Sequence, residues 1–299
     1  MSKVRFLISD GIGGQLQGFS CADIVQNQGH EVHIGVFARN EIFNFLKELF
    51  KDKFKNIVQL PESFTEDYQI ERNPVLWSKF HEGFDETYFI CPDTLFRNPH
   101  RFNYKKYNTT LSQIKNHKLL QYKYIPQENI CILNLLSITN GYTYPHISDL
   151  LNFLCLQNPK WKFVIANNII WNNIKIHIDI KNKYLNLIIE ENPTLLRWFE
   201  WMTKANFSIS TDCGMMHVAN HLNMEQLILD PQFNKMAFYA RWRATGDDSI
   251  PISTSAMDVA RLSKNLLDNE LARLLPKKML LDRLLQGEIN YPNELIYKF

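Results

Sequence analysis

The chain has 299 residues, about two domains by size, and a hydrophobic share of 45% that excludes wholesale disorder. A formal net charge of +2 provides no global field to draw in nucleic acid, so no nucleic-acid partner is expected. The cysteines (Cys21, Cys91, Cys131, Cys155 and Cys213) form no CxxC clamp and four of them lie in apolar runs, the pattern of a reduced, cytoplasmic protein with buried thiols.

The elements alternate along the chain. Val4–Ser9 (VRFLIS) is a compact apolar run suited to a buried parallel strand. Asp10-Gly-Ile-Gly13-Gly14-Gln15 ends it, and a helix is predicted from Leu16 to Gln28. His30–Phe37 gives the next strand and Asn40–Phe50 the next helix, which makes a βαβ unit. A weak strand follows at Lys55–Gln59, then a polar stretch to Asn73, a short helix at Pro74–His81 and a strand at Asp85–Cys91. Tyr104–His117 is predicted as a helix with a polar face.

The periodicity lapses over Lys118–Gln127, and Pro126 interrupts it, so a domain boundary is expected there. It separates domain 1–122 from domain 123–299. Asn129–Leu136 (NICILNLL) restarts the strand pattern. Pro145–Gln157 follows as a helix with Pro in its first turn. Further strands are expected at Trp161–Ala166, Tyr184–Ile189, Asn206–Ser210 and Glu225–Leu229, with a helix at Pro193–Lys204. Asp230–Pro251 reads as a long loop. Met257–Leu285 reads as a long helical stretch broken near Pro276, whose Lys277, Lys278 and Arg283 form a solvated face and whose last helix packs back on the first domain. No signal peptide is visible and no stretch nears the roughly 18 uninterrupted apolar residues of a membrane span. Peripheral attachment at the inner face of a membrane stays open.

Three places concentrate chemistry. In Ser208–Leu222 (SISTDCGMMHVANHL), Asp212, Gly214 and His217 crowd a strand-to-helix junction. Unpaired N–H groups and the helix dipole make such a junction an anion site. The alternative is an ordinary helix capped by Thr211 or Asp212. The Gly13-Gly14 turn lacks both the GxGxxG spacing and a following Gly-Lys-Ser/Thr, so it is neither a dinucleotide fingerprint nor a P-loop. It either admits a ligand to the helix start or simply makes a tight turn. Asp93, in Pro-Asp-Thr at another strand's carboxyl end, is a second acid for the cleft that Asp10 faces, or else a turn cap.

Ser208–Leu222 followed by EQLILD resembles the C-terminal signature of the heptosyltransferase-type enzymes, glycosyltransferase family 9. That signature is an apolar strand, Asp-Ser/Thr-Gly-x-x-His-x-Ala, a short helix and a further strand. TKANFSIS before the block, NICILNLL with its Ser/Thr loop, and the opening LISDGIGGQLQGFSCADIVQNQGHEVHI are similar to the same family. The resemblance implies an α/β protein of GT-B fold, two Rossmann-like domains facing across a cleft, with the acceptor in the N-terminal half and the donor in the C-terminal half. It implies inverting transfer from a nucleotide-diphosphate sugar to a glycan or glycolipid acceptor, with no cofactor and no essential metal. Carried onto this chain, Asp212 and His217 would contact donor sugar and diphosphate. Gly214 and the N–H groups of Met215 and Met216 would cradle phosphate, and Ser137 and Thr139 would face the same phosphates.

Where the family has Gly-Asp in its first loop, with that Asp as general base, this sequence has Gly13-Gly14. Asp10 is the first substitute, Asp93 the second and Asp23 a distant third. Arg241 and Arg243 are candidates to balance the leaving diphosphate, or are residues of a plain surface loop.

Overall fold

The structure, a computed structural model, describes residues 1–9, 11–61, 74–90, 102–103, 105–137, 142–167, 180, 183–231 and 248–287. The chain divides into two compact units, the first spanning Met1–Leu119 and the second beginning at Leu120. Each contains a parallel sheet flanked by helices.

The first unit contains β1 (Lys3–Ile8), α1 (Ile12–Asn27), β2 (Glu31–Phe37), α2 (Asn40–Phe50), β3 (Asn56–Leu60), α3 (Pro74–His81), β4 (Glu86–Ile90) and α4 (Leu111–Lys115). Its strand order is β3-β2-β1-β4, every pair parallel. β1 reads as a near-continuous apolar run because neighbours cover both of its faces. On one face Ile8 lies under α1, where Gly18 is required. A Cβ there would come within 2.6 Å of the Ile8 side chain. On the other, Leu7, Phe37 and Phe89 pack with Leu60, Trp77 and Phe80. Phe19 of α1 stacks on Phe50 with centroids 4.3 Å apart, tying α1 to α2.

The helix expected over 104–117 shrinks to Leu111–Lys115. Asn108 takes a left-handed conformation (φ 43°), which a helix interior excludes. Thr110 then caps the short helix reciprocally with Gln113. Asp23 is buried on α1, its Oδ2 paired with Lys53 at 2.9 Å and His117 at 2.6 Å. A carboxylate so enclosed is no base for a substrate hydroxyl.

The second unit contains β5 (Ile130–Asn134), α5 (Ile147–Gln157), β6 (Lys162–Asn167), β7 (Leu187–Glu191), α6 (Leu195–Lys204), β8 (Phe207–Thr211), α7 (Gly214–Leu222), β9 (Glu225–Asp230), β10 (Ser249–Pro251), α8 (Ala256–Asp268), α9 (Glu270–Arg273) and α10 (Lys277–Leu285). The sheet order is β10-β9-β8-β5-β6-β7, again all parallel. One face packs on α5 and α8 through a core that includes Leu133, Leu151, Phe163, Ile209, Leu229 and Leu262.

Three expectations change here. β10 was absorbed into a loop, because a three-residue edge strand ending in proline carries no period to read. The long helical stretch is three helices, broken at Asn269 as well as near Pro276. Lys277 belongs to no solvated face. It is 2% exposed, donates to the carbonyls of Arg273 and Leu275 and pairs with Asp248 at 3.3 Å. Among the described residues no helix is long and apolar enough to cross a membrane.

Candidate functional site

In an open parallel sheet, ligands bind beyond the carboxyl ends of the strands, where the strand order reverses direction. In the second unit the chain runs outward from β5 to β6 and β7, then returns to place β8 on the other side of β5. The reversal therefore lies between β5 and β8. The loop after β5 carries Ser137, the turn after β8 carries Asp212, and the start of α7 carries Gly214, Met215, Met216 and His217. The paired ends Asn134 and Ser210 hold those two segments side by side.

The β8–α7 turn presents a helix start with no side-chain cap. Cys213 occupies the N-cap in an extended conformation and supplies no side-chain cap bond, and the first turn of α7 holds no acid. The Cys213 carbonyl accepts from Met216 N–H at 3.1 Å. Burial pushes the Cys213 thiol up to about 11, opposed by the N–H groups of Met216 and Met215. The nearby Asp212 charge acts against those N–H groups and raises the thiol further. Asp212 and His217 are 8% and 7% exposed, so their polar groups work in a largely dry environment. At its far end α7 closes on Asn223 in the left-handed conformation (φ 65°).

The loop after β5 is pinned at its neck. Ser137 N–H donates to Thr143 Oγ1, Thr143 Oγ1 donates to the Ser137 carbonyl, both at 3.1 Å, and Tyr144 N–H donates to Leu135 O at 3.0 Å. Thr139, in the same loop, lies outside the described residues, as do Asp10, Asp93, Arg241 and Arg243. Gly13 and Gly14 are buried in the first turn of α1, behind an N-cap Gly11 that makes no side-chain bond. The first unit reverses its strand order between β1 and β4, whose ends pair at Ile8 and Ile90. In sequence, Asp10 and Asp93 follow those two strand ends.

Sequence reading missed two features. An open cavity of about 560 Å³ lies at the carboxyl ends of β2 and β3, lined by Ala38, Arg39, Asn40, Gln59, Leu60 and Pro61. The other is the polar side chain of Asn134, buried beneath the β5–β8 switch point. Its signal was present, as one polar residue inside the apolar run ICILNLL, with serines two apart in FSIS. Among the described residues no group of three His, Cys, Asp or Glu side chains could hold a metal ion.

No protein-family model matches the sequence, and no curated protein matches it. Solved structures do. E. coli heptosyltransferase WaaC with ADP-2-deoxy-2-fluoro heptose superposes with a TM-score of 0.57 at 10% identity, covering 89% of this chain and 98% of that one. A family 9 glycosyl transferase from Veillonella parvula gives 0.56 at 8% identity, covering 95% and 96%. E. coli ADP-heptose lps heptosyltransferase II gives 0.53 at 13% identity, covering 96% and 100%. The chain has the GT-B fold of the heptosyltransferases. In this GT-B chain the Asp212-x-Gly214-x-x-His217 turn and the Ser137 loop meet at the second unit's switch point.

Proposed function

We propose that this GT-B protein is a glycosyltransferase that moves a sugar from a nucleoside-diphosphate donor to a glycan or glycolipid acceptor, in the cytoplasm, with inversion and without an essential metal. The reading rests on the β8–α7 turn. It is an uncapped, acid-free helix start beside Asp212 and His217 at a topological switch point, in a fold shared with a heptosyltransferase solved with a nucleotide-sugar analogue. Gly214 and the N–H groups of Met215 and Met216 bind the diphosphate, with Ser137 and Thr139 on its other side. Asp212 and His217 hold the donor sugar and the inner phosphate.

An acceptor hydroxyl attacks the anomeric carbon from the face opposite the diphosphate. The new C–O bond forms as the bond to the phosphate oxygen breaks, and the electron pair leaves with the diphosphate. The N–H groups, aided by Arg241 and Arg243, hold that charge in place of a metal. Asp10, or failing it Asp93, accepts the hydroxyl proton. The Arg39-lined cavity of the first unit has room for a polar sugar residue of the acceptor.

Calorimetry and turnover assays with a panel of nucleotide sugars test the reading. One donor should bind and be consumed. Asp212→Ala and His217→Ala should each weaken donor binding about tenfold or more, while Asp10→Ala should cut turnover and leave donor affinity near wild type. Binding of no member of the panel would overturn the proposal, and a fully active Asp10→Ala would overturn the base assignment. Gly14, where the resemblance leads one to expect an acid, favours a second reading, a nucleotide-sugar-binding protein with little or no transfer. Tight donor binding without turnover would select it. Release of free nucleotide with no acceptor present would instead indicate a nucleotide-sugar hydrolase or epimerase.

A further inference from the structure

Asn134, the last residue of β5, is 6% exposed. Its neighbours dictate its amide orientation. Trp198 Nε1 can only donate, and it lies 2.8 Å from Asn134 Oδ1, so the oxygen faces α6 and the amide nitrogen faces β8. That nitrogen donates to Ser210 Oγ at 3.1 Å and to Ser208 Oγ at 3.3 Å. The two serine hydroxyls are 2.6 Å from each other. The main chain of the same residue reaches the β8–α7 turn. Its carbonyl accepts from Thr211 Oγ1 at 3.3 Å and from the Cys213 thiol at 3.8 Å.

Burying one amide and two hydroxyls on a sheet face is unfavourable unless every group finds a partner, and an apolar face would serve stability as well. A satisfied network instead fixes one geometry. Here it fixes the separation and height of the two strand ends that flank the switch point. It also hangs residues 211–213 from β5. Trp198 adds α6, the helix that leads into β8, to the same assembly.

We infer that Asn134, oriented by Trp198, is a positioning residue that sets the β8–α7 turn at the spacing a diphosphate needs from the loop after β5. It touches no ligand itself. The inference rests on the donor-binding reading above.

The test uses the full chain with ADP, GDP, UDP and CDP as probes, each beside its parent nucleoside, by calorimetry. Trp198→Phe removes one N–H and keeps the ring. Asn134→Leu keeps the approximate shape and removes every side-chain bond. Trp201→Phe is the control, since Trp201 on the same helix donates to Glu190 at 2.5 Å, away from Asn134. For the diphosphate that wild type binds, Trp198→Phe should raise Kd severalfold and Asn134→Leu about tenfold or more, with Kd for the parent nucleoside unchanged. Trp201→Phe should leave both values at wild type.

A merely structural role would weaken nucleoside and diphosphate in equal proportion, or neither, and either result overturns the inference. Should Asn134→Leu not fold, Trp198→Phe decides alone. If wild type binds none of the four diphosphates, the donor-binding reading itself has failed. If wild type binds and Trp198→Phe binds equally well, only the role of Asn134 has failed.

Discussion

Asp23 illustrates at the residue scale how a buried carboxylate is committed to architecture. Burial raises its carboxyl, and the hydrogen bonds from His117 and Lys53 more than reverse that, so it sits below the usual carboxylate value. A depressed folded value means stabilisation that is fully present above the unfolded value of about 3.9 and is lost as pH falls through the folded one. Asp23→Asn should therefore cost about 1.5–3 kcal/mol at pH 7. The gap to wild type should close below about pH 4, as urea unfolding midpoints from pH 2.5 to 7 would show. A gap constant across that range would mean the ion triad does not stabilise the fold. Sequence could name Asp23 only as a spare acid, since its partner His117 lies 94 residues away. The same holds for Asn134. An isolated polar letter in an apolar run marks an exception, but only the fold brings Ser208, Ser210 and Trp198 to it.

At the scale of elements, periodicity located most strands and helices because core faces impose it. It failed where a single residue's conformation or a distant partner decides the outcome. Asn108 ends one expected helix, β10 is too short to show alternation, and Lys277 is buried because helix-end carbonyls and Asp248 receive it. Arg273 is a similar case. Its guanidinium donates to the carbonyls of Leu266 and Leu267 at the end of α8 and pairs with Glu225 at the start of β9. It also lies over the rings of Trp161 and Phe207, each 5.7 Å away. A lysine has no planar fork to serve three acceptors and two rings at once. Arg273→Lys should destabilise the second unit by about 1.5–3 kcal/mol, read as a lower denaturant midpoint. An unchanged midpoint would show that the fork contributes nothing.

For the whole molecule, the two parallel sheets are the part of the design that sequence order alone could suggest, because alternating strands and helices imply them. Which strand pairs with which was not legible. That β8 returns to lie beside β5 follows from packing, and it brings two separate loops to one candidate site. Each unit has its own sheet, so a ligand bound to one should protect that one first. A nucleoside diphosphate at about 100 times its Kd adds about 2.7 kcal/mol of stability to what it binds. Hydrogen exchange should then show slowed amides in β5, β8 and α7, with β1 to β3 unaffected. Protection centred on β1 to β3 would move the donor to the first unit.

The same strand order has a temporal consequence. Ser208 follows Asn134 by 74 residues. A ribosome adding roughly 5–20 residues per second needs about 4–15 s to make that segment. During that interval β5 can pair with β6 on one side while its other edge, apolar and unpaired, stands open. An open edge of this kind is a template for association with other chains. That edge of β5 stays open until FSIST emerges, so the strand that completes the candidate site is also the one that covers β5.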